Sequence, residues 1–132
     1  MAELGQTLGE ALLEPHRPYY PLMEQSLPFV KGMAHITGGG LLENVPRMLP
    51  EGLVARIQRT SWDIPPLFRI IQGQGDVEEK EMFQVFNMGV GMVVACSPEH
   101  ENEFLRSVPD AWVMGEVIQD RDTDQRVVFE DL

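Results

Sequence analysis

The chain has 132 residues, 43% of them hydrophobic, with 10 basic against 21 acidic side chains and a formal net charge of -11. That length suits one domain able to bury around two thirds of its unfolded surface, and the acidic balance repels nucleic-acid phosphates and anionic membranes, so neither is expected as a partner. No apolar run reaches the ~18 residues of a membrane span, no secretory signal is evident, and the single Cys96, set in MVVAC, reads as a buried structural thiol.

Residues 1–21 carry Gly5, Gly9, Pro15, Pro18 and Pro21 and read as an extended connector. Residues 20–27 follow as a short helix with Leu22, Met23 and Leu27, closed by Pro28. A buried strand over 33–37 then runs into three glycines and directly into a helix. That order is the pattern of a phosphate-binding turn: glycine lets backbone N–H groups approach an anion, and the following helix points its positive end at the same place. Thr37, Gly38, Gly39 and Gly40 are the candidate cradle. A helix over 40–49 would put Leu41, Leu42, Val45, Met48 and Leu49 on one apolar stripe and Glu43, Asn44 and Arg47 on the other side. Asn44 and Arg47, three apart, are expected to face one ligand. An interior Pro46 costs about 3 kcal/mol outside the first turn, which moves the expected helix start toward Leu42.

Residues 53–59 alternate as a half-exposed strand, 65–72 form a helix with prolines before and glycines after, and 76–85 form another with Asp76 as N-cap and Glu79 at the capping-box position. The run 87–96 reads as a central strand, with Met88, Val90, Met92, Val94 and Cys96 on one face and Gly89, Gly91, Val93 and Ala95 on the other. An amphipathic helix over 98–108 is N-capped by Ser97. Strands 111–119 and 125–130, joined by DRDTD, suggest a C-terminal hairpin. Helices and strands mixed in this way predict an α+β layered domain with a mixed sheet.

His35 ends the strand beside the candidate anion site, where an imidazole could move a proton; the other reading is a core histidine bonded to a backbone carbonyl. His16 and His100 read as surface residues, and Trp62 and Trp112 as core anchors. The acidic run Asp76, Glu78, Glu79, Glu81 reads as solvation and capping. Asp120, Asp122 and Asp124 lack the glycine and later glutamate of a calcium loop, and read as a turn.

The string AHITGGGLLENVPRMLP resembles the C-terminal domain of the phosphoribosylformylglycinamidine cyclo-ligases (aminoimidazole ribonucleotide synthetases), and LGEALLEPHRPYY, EMFQVFNMGVGM and QRVVFE resemble further stretches of that family in the same order. Two departures stand out: His16 where the family usually has Thr, and Gln84-Val85 where Arg-Thr is common; neither is expected to touch the glycine turn, so they bear on ligand contacts at those positions more than on the family. The resemblance implies a layered α/β/α fold with a mixed, largely antiparallel sheet flanked by helices. It divides the chain into a connector, 1–21, from an N-terminal ATP-binding domain and a substrate-phosphate domain, 22–132. It also implies ATP-dependent ring closure of formylglycinamidine ribonucleotide in purine biosynthesis, with ATP and Mg2+ held mainly by the N-terminal domain. His35 would stand near the reacting group, and Thr37, Gly38, Gly39, Gly40, Asn44 and Arg47 near the substrate phosphate. The full-length enzyme would be a cytoplasmic homodimer, and this chain alone inactive. The related thiamine-monophosphate kinase and selenophosphate synthetase plans, and a non-catalytic binding module, are the alternatives.

Overall fold

A computed structural model describes residues 4–121 and 123–130. Residues 1–3 of the expected connector, Asp122 of the expected acidic turn, and residues 131–132 lie outside the described residues.

The first element is a short helix, α1 (Leu8–Leu12), inside the segment expected to be extended. It is stabilised by a reciprocal cap. The Glu10 N–H donates to Thr7 Oγ1 at 3.2 Å, while the Glu10 carboxylate accepts from the Thr7 N–H at 2.9 Å and from its hydroxyl at 2.7 Å. Helix α2 (Tyr20–Met23) passes into a 3-10 segment, Glu24–Phe29, and then into strand β1 (Val30–His35). After the glycine turn comes α3 (Gly40–Asn44); Pro46 cannot donate within an α-helix, and the next four residues, Val45–Met48, tighten into a 3-10 helix. Helix α3 thus begins at Gly40 and not nearer Leu42.

Strand β2 (Leu53–Ile57) leads to helices α4 (Pro66–Gly75) and α5 (Glu79–Val85). Asp76 does not cap α5. It ends α4 in the left-handed region at φ 48°, which a short polar side chain tolerates, and Glu78 stands at the α5 N-cap without a side-chain bond. The expected strand 87–96 is shorter, because Met88 (φ 51°) and Gly89 (φ 94°) turn the chain before β3 (Met92–Cys96). Its expected alternation fails with it, since Val93 is buried together with Met88 and Val90. A 3-10 turn at Pro98–His100 and helix α6 (Glu101–Ser107) follow, then β4 (Gly115–Gln119) and β5 (Val127–Phe129).

The strands form two sheets. β1 pairs antiparallel with β3, with His35 opposite Met92 and Met33 opposite Val94. The second sheet has the order β4-β2-β5, in which β4 is antiparallel and β5 parallel to β2. The C-terminal hairpin is therefore not formed. Val54, Ala55 and Ile57 make β2 too apolar for an edge, and it takes the central place with β4 and β5 on its two sides. Arg126 fixes this crossover: its guanidinium donates to the carbonyls of Leu49 at 2.8 Å, Pro50 at 2.9 Å and Leu53 at 3.0 Å. The α+β class and mixed sheet pairing agree with the sequence reading.

Ile36, Leu41, Val45, Ile57, Met82, Phe83, Met88 and Val90 form one buried core, each 2% exposed or less. Trp62 packs against it and donates its indole N–H to the Met88 carbonyl at 3.0 Å, whereas Trp112 stands 41% exposed and is not a core anchor. Among the described residues no helix is long and apolar enough to cross a membrane. The chain exposes 8710 Å², against about 7,000 Å² for a self-contained globule of this mass. Exposed Leu12, Leu13, Met33, Val113 and Val117 contribute to the excess.

Candidate functional site

The glycine turn connects β1 to α3, and each of its last two glycines has its own reason to be one. Gly39 sits at φ 97° and Gly40 at φ 58°, both in the left-handed region. At Gly40 a Cβ would fall 2.0 Å from the Phe83 carbonyl oxygen, so the α3 N-terminus lies directly against α5. At Gly39 a Cβ would meet the Glu43 carboxylate at 2.6 Å. Gly38 has open space around it.

Asn44 holds this geometry from within. It is 3% exposed, and its Nδ2 donates to the carbonyls of Gly40 at 2.9 Å, Gly38 at 3.2 Å and Thr37 at 3.3 Å. The side chain expected on the ligand face is turned inward, where it satisfies carbonyls that the left-handed glycines aim away from water. Arg47 is exposed and has no ion pair or hydrogen bond among the described residues. Asn44 and Arg47 therefore do not face one ligand.

Gly38 and Gly39 open on a cleft of about 740 Å³, lined also by Glu43, Glu78, Lys80, Glu81, Gln84 and Val85. The Gly40 N–H closes the turn on the Thr37 carbonyl at 3.0 Å, which leaves the N–H groups of Gly38 and Gly39 as the turn donors that this bond does not occupy. Three carboxylates against one ammonium give the cleft wall an acidic balance. His35, Thr37 and Arg47 are outside its lining.

His35 is exposed at the end of β1, so the alternative of a core histidine does not hold. Its Nε2 lies 2.6 Å from Nε2 of His16, with ring centroids 4.7 Å apart. The Tyr19 ring stands edge-on to both imidazoles, at 5.9 Å from His16 and 6.2 Å from His35. Both departures from the family pattern thus sit beside the candidate site: Gln84-Val85 in the cleft wall and His16 on His35. Their distance in sequence concealed this: His16 stood out only as a departure from the family pattern, and no local signal marked Tyr19.

Cys96 is partly exposed rather than buried. Desolvation chiefly, with Glu101 and Glu99 nearby, pushes its thiol up and away from the reactive thiolate.

With this geometry in view, residues 2–127 match the family described as AIR synthase related protein, C-terminal domain. Among curated relatives, the phosphoribosylformylglycinamidine cyclo-ligase of Geobacillus thermodenitrificans is 49% identical over 122 residues, 88% of this chain and 35% of its own length. Those of Desulfitobacterium hafniense strain DCB-2 and Pseudothermotoga lettingae are 50% and 45% identical, each covered to 36% of its length by 87% and 89% of this chain. The chain thus spans about a third of the curated relatives it matches. It belongs to the AIR synthase related family, as that family's C-terminal domain.

Proposed function

We propose that this chain is the substrate-phosphate half of an ATP-dependent cyclo-ligase, which closes formylglycinamidine ribonucleotide to aminoimidazole ribonucleotide in purine biosynthesis. The observation that carries the reading is the family match over residues 2–127, which includes a turn with left-handed Gly39 and Gly40 whose Gly38 and Gly39 line an open cleft. In this reading the Gly38 and Gly39 amides and Thr37 hold the ribose phosphate, and Asn44 keeps the turn rigid from behind. Arg47, exposed and without an ion pair among the described residues, assists as a cation, and His35 moves a proton at the reacting carbon.

Among the described residues, no set of three or more His, Cys, Asp or Glu side chains converges to hold a metal. In this reading ATP and Mg2+ are held mainly by an N-terminal domain of the same enzyme. The surface in excess of a self-contained globule supports such a partner. By the same reading the chain alone turns over no substrate and the intact enzyme is a cytoplasmic homodimer.

The test grafts this chain onto the N-terminal two thirds of the Geobacillus thermodenitrificans relative and measures aminoimidazole ribonucleotide formation. Turnover is expected; His35→Asn lowers kcat by about 10² with the fold intact, and Arg47→Ala raises KM more than it lowers kcat. A folded graft without activity, while the unaltered relative turns over, would refute the reading.

A further inference from the structure

We propose that His16 is a positioning residue for His35, donating its Nε2–H to His35 Nε2 and so holding His35 in the tautomer that carries its proton on Nδ1. The choice of donor deepens the ligase reading and rests on it, because a histidine that donates a hydrogen bond to an activated oxygen needs its N–H on the nitrogen left free.

The geometry carries the pairing. Two imidazole nitrogens 2.6 Å apart form a hydrogen bond only when one holds a proton and the other offers its lone pair. Whichever way the bond runs, the state of His16 decides the tautomer of His35. The contact joins residues 19 apart in sequence, and the chain just after His16 is anchored twice. Arg17 pairs with Asp110 at 2.6 Å. Two residues further on, the Tyr19 hydroxyl lies over Gly91, where a Cβ would come within 1.7 Å of it. The Gly91 carbonyl in turn accepts from the N–H of Ile36, the residue after His35. Gly91 therefore makes room for Tyr19, and Tyr19 seats the segment that brings His16 onto His35. An exposed histidine pair without such support would lose its geometry to side-chain rotation.

The experiment is 15N-resolved imidazole NMR of this chain near neutral pH, with the amide spectrum as the check of folding. The wild type is expected to show a scalar coupling across the bond between the two Nε2 nuclei, and His35 as the Nδ1–H tautomer. His16→Gln, whose amide can still donate, should keep that tautomer. His16→Ala should lose the coupling and return His35 to the mixed tautomers of free imidazole. In the graft, His16→Gln should keep kcat within about threefold and His16→Ala lose about tenfold. Absence of the coupling, an Nε2–H tautomer of His35 in the wild type, or the same tautomer mixture in wild type and His16→Ala with the fold intact would overturn the inference. Those outcomes leave the ligase reading standing. A locked tautomer in a folded but inactive graft instead removes the ligase reading and keeps the pair.

Discussion

Gly40→Ala is the substitution with the most directly calculable consequence. A methyl group there would lie 2.0 Å from the Phe83 carbonyl oxygen and 2.8 Å from that of Phe86, both backbone atoms that cannot rotate away. Ordinary contact begins near 3.4 Å, so α3 and α5 must separate by more than an ångström. Overpacking of that kind costs about 1–3 kcal/mol, and holding alanine at φ 58° adds about 1–2 kcal/mol. Together they make a loss of about 2–5 kcal/mol, a large fraction of the ~5–15 kcal/mol that holds a domain together. For a chain of this size the melting temperature should fall by roughly 6–25 °C. Gly38→Ala is the control, because nothing lies within 4 Å of its Cβ position, and it should be neutral to about 0.5 kcal/mol. Urea melts followed by far-ultraviolet circular dichroism measure both. If the two variants agree within about 1 kcal/mol, the α3–α5 contact does not require a glycine, and the account of the turn is wrong.

Asn44→Ala removes the donor shared by three turn carbonyls and should cost about 2–3 kcal/mol. Asn44→Asp should be at least as damaging, because its carboxylate would face those carbonyl oxygens; an aspartate variant as stable as wild type in the same melts would refute the donor role. At α1, hydrogen bonding from the Thr7 backbone chiefly, and from its hydroxyl, lowers the Glu10 pKa from its ordinary 4.5. A depressed carboxylate stabilises its helix above the unfolded-state value and loses that effect as pH falls through the folded one. Amide exchange at Ala11 and Leu13 should therefore accelerate below about pH 4.5 before the sheets respond, and Glu10→Gln should abolish the pH dependence.

Much of the fold was written locally. The Pro and Gly punctuation marked α4, the strand–glycine–helix order marked the turn, and the apolar stripe of Leu41 and Val45 marked the side that packs on the core. The Thr7–Glu10 capping box also stood in the sequence as T-x-x-E, hidden by the prolines that follow it. Strand partnership was less legible. Residues 111–130 look like a hairpin because both runs are apolar and a polar turn joins them. Yet β2, more than fifty residues upstream, offers a more buried partner and takes both strands as neighbours.

The sequence by itself determined the family, the α+β class and the place of the glycine turn, because each depends on residue order within a few turns of chain. Only the tertiary structure decided what surrounds that turn. It directed the Asn44 amide inward, onto the carbonyls of Thr37, Gly38 and Gly40, and it left Arg47 in solvent. It lined the cleft with Glu43, Glu78 and Glu81 and brought His16 onto His35. Those contacts depend on how segments far apart in sequence pack, and local periodicity carries no record of a neighbour that arrives from across the fold.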